Sequence, residues 1–97
     1  MTLSVFATIH PKPDRLSEAR EAIVGIVAGT RAEAGCQHFT LHENADGDRL
    51  HLTEIWDDRA AFEAHHAQPY TRDVFAKYES LLAAPVELTF MQPVMTG

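Results

Sequence analysis

The hydrophobic repeat of this chain switches between two and about 3.6 residues in an order that leaves few folds open. From Thr2 to His10 it alternates, with Leu3, Val5, Ala7 and Ile9 on one face and Ser4, Phe6, Thr8 and His10 on the other, which is the pattern of a strand. Pro11 and Pro13 stop it, and Pro13-Asp14 suits a helix start because proline lacks the N–H that would go unpaired there. Leu16, Ala19, Ile23, Ile26, Val27 and Thr30 then recur at helical spacing, which predicts an amphipathic helix from about Asp14 to Ala32. Gly25 and Gly29 each cost that helix up to about 1 kcal/mol relative to alanine, so tertiary packing has to hold it.

Gly35 closes the helix, and Cys36 to Glu43 alternates again, with Phe39 and Leu41 opposed to His38, Thr40 and His42. Asn44-Ala45-Asp46-Gly47-Asp48 carries an Asp-Gly turn signal, after which Leu50, Leu52, Glu54 and Trp56 alternate with His51, Thr53 and Ile55. That predicts a hairpin. Asp57 and Asp58 are natural N-caps for a short helix containing Phe62 and His65, which Gln68-Pro69 interrupts. Val74, Phe75, Tyr78, Leu81 and Leu82 make the apolar stripe of the helix that resumes, Pro85 ends it, and Val86 to Met91 alternates as the last strand. The order is βαββαβ, an α+β fold of the ferredoxin-like type: a four-stranded antiparallel sheet with its helices on one face. The bare face needs a cover, and because the first strand is apolar on both sides the simplest cover is the same face of a second copy, giving a homodimer. Either the Leu3, Val5, Ala7 and Ile9 side or its opposite forms the interface, and parity alone leaves that open.

At 97 residues the chain has room for one core, so residues 1–97 read as a single domain. Fourteen acidic against eight basic side chains give a formal charge of -6 with no basic cluster, which argues against nucleic acid as a partner. No apolar run reaches a membrane-spanning length and the start lacks a basic region followed by a signal-length apolar run, so a cytoplasmic protein with no membrane partner is expected. A lone Cys36 forms no internal disulfide, in keeping with a reducing compartment.

Glu33-Ala34-Gly35-Cys36 before the second strand, Glu54-Ile55-Trp56 at the end of the third, and His65 eleven residues after Glu54 together resemble the antibiotic biosynthesis monooxygenase domain. The resemblance covers nearly the whole chain and implies a dimeric α+β barrel of ferredoxin-like subunits. It also implies a small cofactor-independent monooxygenase that oxidises a quinol or polycyclic phenol with molecular oxygen, needing no haem, flavin or metal. Another branch isomerises a phosphorylated quorum-sensing sugar derivative, and Pro69, Ala76-Lys77, Glu79-Ser80-Leu81 and Pro85 resemble its second-helix pattern. No Gly-rich loop or paired Arg is present to cradle a phosphate, so that branch ranks second. Haem degradation is disfavoured: the haem branch's strand-one Asn is missing, its Trp position resembles His65, and its His position resembles Phe75. A non-catalytic ligand-binding module of the same fold is the rival from another class.

On this reading His65 is the candidate catalytic residue, a neutral imidazole able to accept a phenolic proton. Phe6, Trp56 and Phe75 are expected to stack on a planar small aromatic substrate and exclude water, and Tyr70 to hydrogen-bond it. Glu54 sits on an apolar strand row with Leu50, Leu52 and Trp56, where a carboxylate needs a partner, so a supporting role through an Arg or a backbone donor is expected. Cys36 and His38 fall on one strand face, yet no third group orients them as a nucleophile pair, and an inert thiol is expected. His38, His42 and His51 invite a metal only if a third ligand joins the cross-strand pair His42 and His51, so no metal is assigned.

Overall fold

The computed structural model describes residues 1–96. Four strands, β1 (Leu3–Ile9), β2 (Cys36–Glu43), β3 (Leu50–Trp56) and β4 (Glu87–Met91), form one sheet in the order β2-β3-β1-β4 with every neighbour antiparallel. Three helices, α1 (Leu16–Arg31), α2 (Arg59–Ala67) and α3 (Pro69–Leu81), complete the ferredoxin-like order. The first helix begins two residues later than its sequence pattern suggests. Lys12 N–H donates to Leu81 O and Arg15 N–H to Lys12 O, each at 2.9 Å, so the backbone after Pro11 is spent on a turn before α1 starts.

The helices choose a face. Val5, Ala7 and Ile9 of β1 and Leu50, Leu52 and Trp56 of β3 are buried beneath the helices, Trp56 against Phe62 and His65 of α2; the buried stripes of α1 and α3 are Ala19, Ile23, Ile26 and Thr30, and Thr71, Val74, Tyr78 and Leu81. Tyr78 crosses between the two helices and donates its hydroxyl to Ala19 O at 2.8 Å, satisfying its one polar group inside the core. The Asp58 side chain accepts from Ala61 N–H at 2.8 Å and so caps α2, while Pro69 opens α3 in the first-turn position that proline favours.

The bare face therefore carries Ser4, Phe6 and Thr8 of β1, not Leu3, Val5, Ala7 and Ile9. It is less apolar than the sequence reading required. Its row is completed by His38, Thr40 and His42, by His51, Thr53 and Ile55, and by Glu87, Thr89 and Met91, because β2 and β3 alternate threonine and histidine outward. Two further expectations change. The Asp46-Gly47 step is the second half of a longer loop, in which Gly47 N–H donates to Asn44 O and Gly47 takes φ +69, although Asn44 still pairs Arg49 and the register of the hairpin is kept. A bulge at Gln37 breaks the alternation of β2: Cys36 pairs Trp56 on the helix side while His38 pairs Ile55 on the bare side, so Cys36 and His38 do not share a face.

Candidate functional site

Glu54 and Trp56 are successive inward residues of β3, and α2 lays His65 against them. The imidazole of His65 stacks on the Trp56 indole with centroids 4.8 Å apart and meets the Phe39 ring edge-on at 5.6 Å. It is 3% exposed. Its Nδ1 lies 2.9 Å from Glu33 Oε2, in the turn between α1 and β2, and 3.5 Å from Thr71 Oγ1. The Tyr70 hydroxyl also donates to Glu33 Oε2. Burial, reinforced by that carboxylate, pushes the Tyr70 phenol up to about 12, so it stays a donor at neutral pH.

Beside His65 the packing leaves a cavity of about 30 Å³, lined by Glu54, His65, His66, Thr71 and Tyr78 and elsewhere by apolar groups including Ala7, Leu52, Val74 and Phe75. Phe75, 40% exposed, stands at the rim with Val86 and Leu88. Burial pushes the Glu54 carboxyl up to about 7; the Trp56 indole N–H, which donates to Glu54 Oε1 at 2.9 Å, opposes that rise and the charge of Glu33 adds to it. Burial, with His65 beside it, lowers His66, which is packed between the rings of Phe62 and Phe75 at 4.4 and 5.3 Å. At Glu54 the cavity wall can hold or release a proton near neutral pH.

The structure brings together His65, Glu54 and Phe75 of the residues singled out in the sequence. It separates the others. Phe6 points to the bare face, where it stacks on His51 at 5.2 Å, because the period of two sends it away from Val5 and Ala7. Trp56 is fully buried behind His65 and does not line the cavity, so it positions the imidazole and Glu54 but offers no surface to a ligand. Tyr70 is committed to Glu33 and does not line the cavity either. Among the described residues Glu54 has neither an Arg nor a backbone donor as partner; the indole two residues on takes that place. Cys36 is no activated thiol, since burial and then Glu33 raise it.

His42 does lie directly across from His51, but the rings diverge: His51 leans to Thr8 Oγ1 at 3.4 Å, while His38 and His42 both meet Thr53 Oγ1, at 2.9 and 3.3 Å. Among the described residues no group of three ligating side chains converges on a point where a metal could sit. Glu33 and His66 were missed as site residues. Glu33 stood in the motif before β2, but 32 residues separate it from His65 and nothing local in the sequence joins them.

The sequence model of antibiotic biosynthesis monooxygenase matches residues 2–77, which span Glu33, Glu54, Trp56, His65 and Phe75. The chain belongs to the antibiotic biosynthesis monooxygenase family. It is 35% identical over 92 residues to the Mycobacterium tuberculosis protein named "Putative monooxygenase Rv0793", covering 95% of this chain and 91% of that one. The solved structure of Rv0793 superposes with a TM-score of 0.93 at 33% identity over 99% of this chain and 98% of that one. PA3566 of Pseudomonas aeruginosa, at 28% identity, gives a TM-score of 0.91 over 97% of this chain and 95% of its own. Among the described residues no helix is long and apolar enough to cross a membrane.

Proposed function

We propose that this family member is a monooxygenase in which His65 takes the hydroxyl proton of a quinol or polycyclic phenol held against the apolar wall between sheet and α3. The observation that carries the reading is the position of His65: a buried imidazole, braced by a carboxylate, on the rim of an apolar cavity. Loss of the proton leaves an electron-rich phenolate that passes one electron to dioxygen. The resulting superoxide and substrate radical combine in a C–O bond at a carbon that bears hydrogen, the peroxide takes back the proton held by His65, and the hydroperoxide loses water to leave a carbonyl, so one oxygen atom enters product and the other leaves as water. A water-poor wall of Ala7, Leu52 and Val74 protects the radical pair. A ring is larger than the cavity, and Phe75, Val86 and Leu88 have to part to admit it. Phosphorylated substrates fit poorly, because no Lys or Arg among the described residues lines the cavity and its acidic group Glu54 has Glu33 close behind His65.

The protein acts as a homodimer on this reading, with two bare sheet faces packed on each other through Phe6, Ile55 and Met91. The cavity's small volume favours one rival, a non-catalytic module of the same fold. Oxygen uptake with a panel of quinols and anthrone-like phenols, in the presence of a chelator, separates the two. The oxygenase reading expects uptake above the buffer rate for at least one compound, with one carbonyl formed per dioxygen consumed; no uptake across the panel leaves the rival.

A further inference from the structure

Glu33 is the hub of a contact that joins three elements: the turn after α1, the last part of α2 that bears His65, and the first turn of α3 that bears Tyr70. A neutral imidazole carries one N–H and one lone pair, and whichever nitrogen faces a good acceptor takes the hydrogen. Nδ1 of His65 has two neighbours. Thr71 Oγ1 could donate to it and force the opposite tautomer, but at 3.5 Å that contact is at the limit of a hydrogen bond, whereas Glu33 Oε2 at 2.9 Å can only accept while ionised. The carboxylate is itself held, since the Tyr70 hydroxyl donates to the same oxygen. Nε2 has no hydrogen-bond partner among the described residues, and the ring borders the cavity.

We propose that Glu33 is the positioning residue of this site, fixing His65 as the Nδ1–H tautomer so that the Nε2 lone pair is the one presented to the cavity, with Tyr70 steadying the carboxylate. The proposal rests on the reading of His65 as the base. When the substrate O–H breaks, the hydrogen bonds to Nε2, the oxygen keeps the electron pair, and the imidazolium formed faces Glu33. Side-chain exposures of 4% for His65 and 12% for Glu33 keep water from screening that attraction as it would at the surface. Tyr70, expected from the sequence to meet substrate, thus acts one step further back.

Ring-labelled 15N-histidine NMR of the whole protein, above the pH at which the imidazoles titrate, reads the tautomer without any substrate. Six histidines contribute, and the His65 signals are those that vanish in His65→Asn. The expected result is a directly bonded proton on Nδ1 and a pyridine-like Nε2 in the parent, with Glu33→Ala shifting the population toward Nε2–H. Tyr70→Phe, which loses a hydroxyl and little volume, should shift it part of the way and serves if Glu33→Ala does not fold. An Nε2–H tautomer in the parent, or a population unmoved in the variants that fold, overturns the proposal. Oxygen uptake is read separately: an Nδ1–H tautomer that depends on Glu33 in a protein that consumes no oxygen removes the oxygenase reading and leaves Glu33's role standing.

Discussion

Trp56 donates its indole N–H to the carboxylate of Glu54, two residues back on the same face of β3, across 2.9 Å of buried space. That single donor is a thin compensation for a desolvated carboxylate, which is why the carboxyl rises to about 7.

Stability should consequently fall as pH rises from about 4.5 to about 7. Below that window both folded and unfolded chains hold the Glu54 proton. Within it the unfolded chain has released the proton and the folded chain has not, so each step up in pH favours unfolding, and above it the whole penalty is present. A rise from the ordinary carboxylate range to about 7 corresponds to an upper limit of roughly 3 kcal/mol. Urea unfolding of the parent and Glu54→Gln at pH 5 and pH 8 should show the parent losing on the order of 2 kcal/mol relative to the variant; parallel curves would refute the assignment.

A second expectation concerns how α2 is brought close enough for His65 to reach Glu33. A Cβ on Gly35 would sit inside van der Waals contact of Ala61 Cβ on the first turn of α2, and Asp57 N–H donates to Gly35 O at 2.9 Å, so backbone and helix are pressed together there. Gly35→Ala should cost about 1–3 kcal/mol in thermal or urea unfolding. Adding Ala61→Gly should recover part of that loss, although glycine by itself weakens the helix by about 1 kcal/mol. A double variant no more stable than Gly35→Ala alone would show that the contact is not the cause.

Self-association is the third. The bare face offers Phe6, 36% exposed, beside Ile55 and Met91, among threonine and histidine that can hydrogen-bond across an interface. Light scattering at micromolar concentration should report twice the chain mass of 10.8 kDa, and Phe6→Asp with Ile55→Asp should halve it. A soluble parent at the monomer mass sinks the sheet-to-sheet arrangement.

The fold was legible because four period-two segments and their breakers, Pro11, Gly35, Pro69 and Pro85, mark the elements directly. What was not legible follows from contacts the repeat does not encode. Parity put Phe6 opposite Val5 but could not say which side the helices would take, so Phe6 was grouped with a cavity it turns its back on. The bulge at Gln37 inverted the relation of Cys36 to His38, and a bulge leaves no sign in hydrophobic alternation. Glu54 announced itself as a carboxylate in an apolar row, yet its partner was the neighbouring indole because no Arg reaches that depth.

The last prediction separates base from brace. His65 lies stacked on Trp56 and edge-on to Phe39 at 3% exposure, so His65→Ala opens a hole and leaves Glu33 with Tyr70 alone, costing about 2–4 kcal/mol in unfolding free energy. His65→Asn is the cleaner change, since its amide can still donate toward Glu33 while no basic nitrogen remains where Nε2 was. With the quinol that gives the fastest oxygen uptake, His65→Asn should lower kcat by about a hundredfold to ten-thousandfold with little change in KM. Trp56→Phe should do the reverse of a base knock-out: it removes the only side-chain donor to Glu54 among the described residues, so unfolding free energy should drop by about 1–3 kcal/mol while kcat falls less than in His65→Asn. If His65→Asn turns over at the parent rate, proton transfer passes to Glu54, whose carboxyl on the cavity wall is pushed up to about 7.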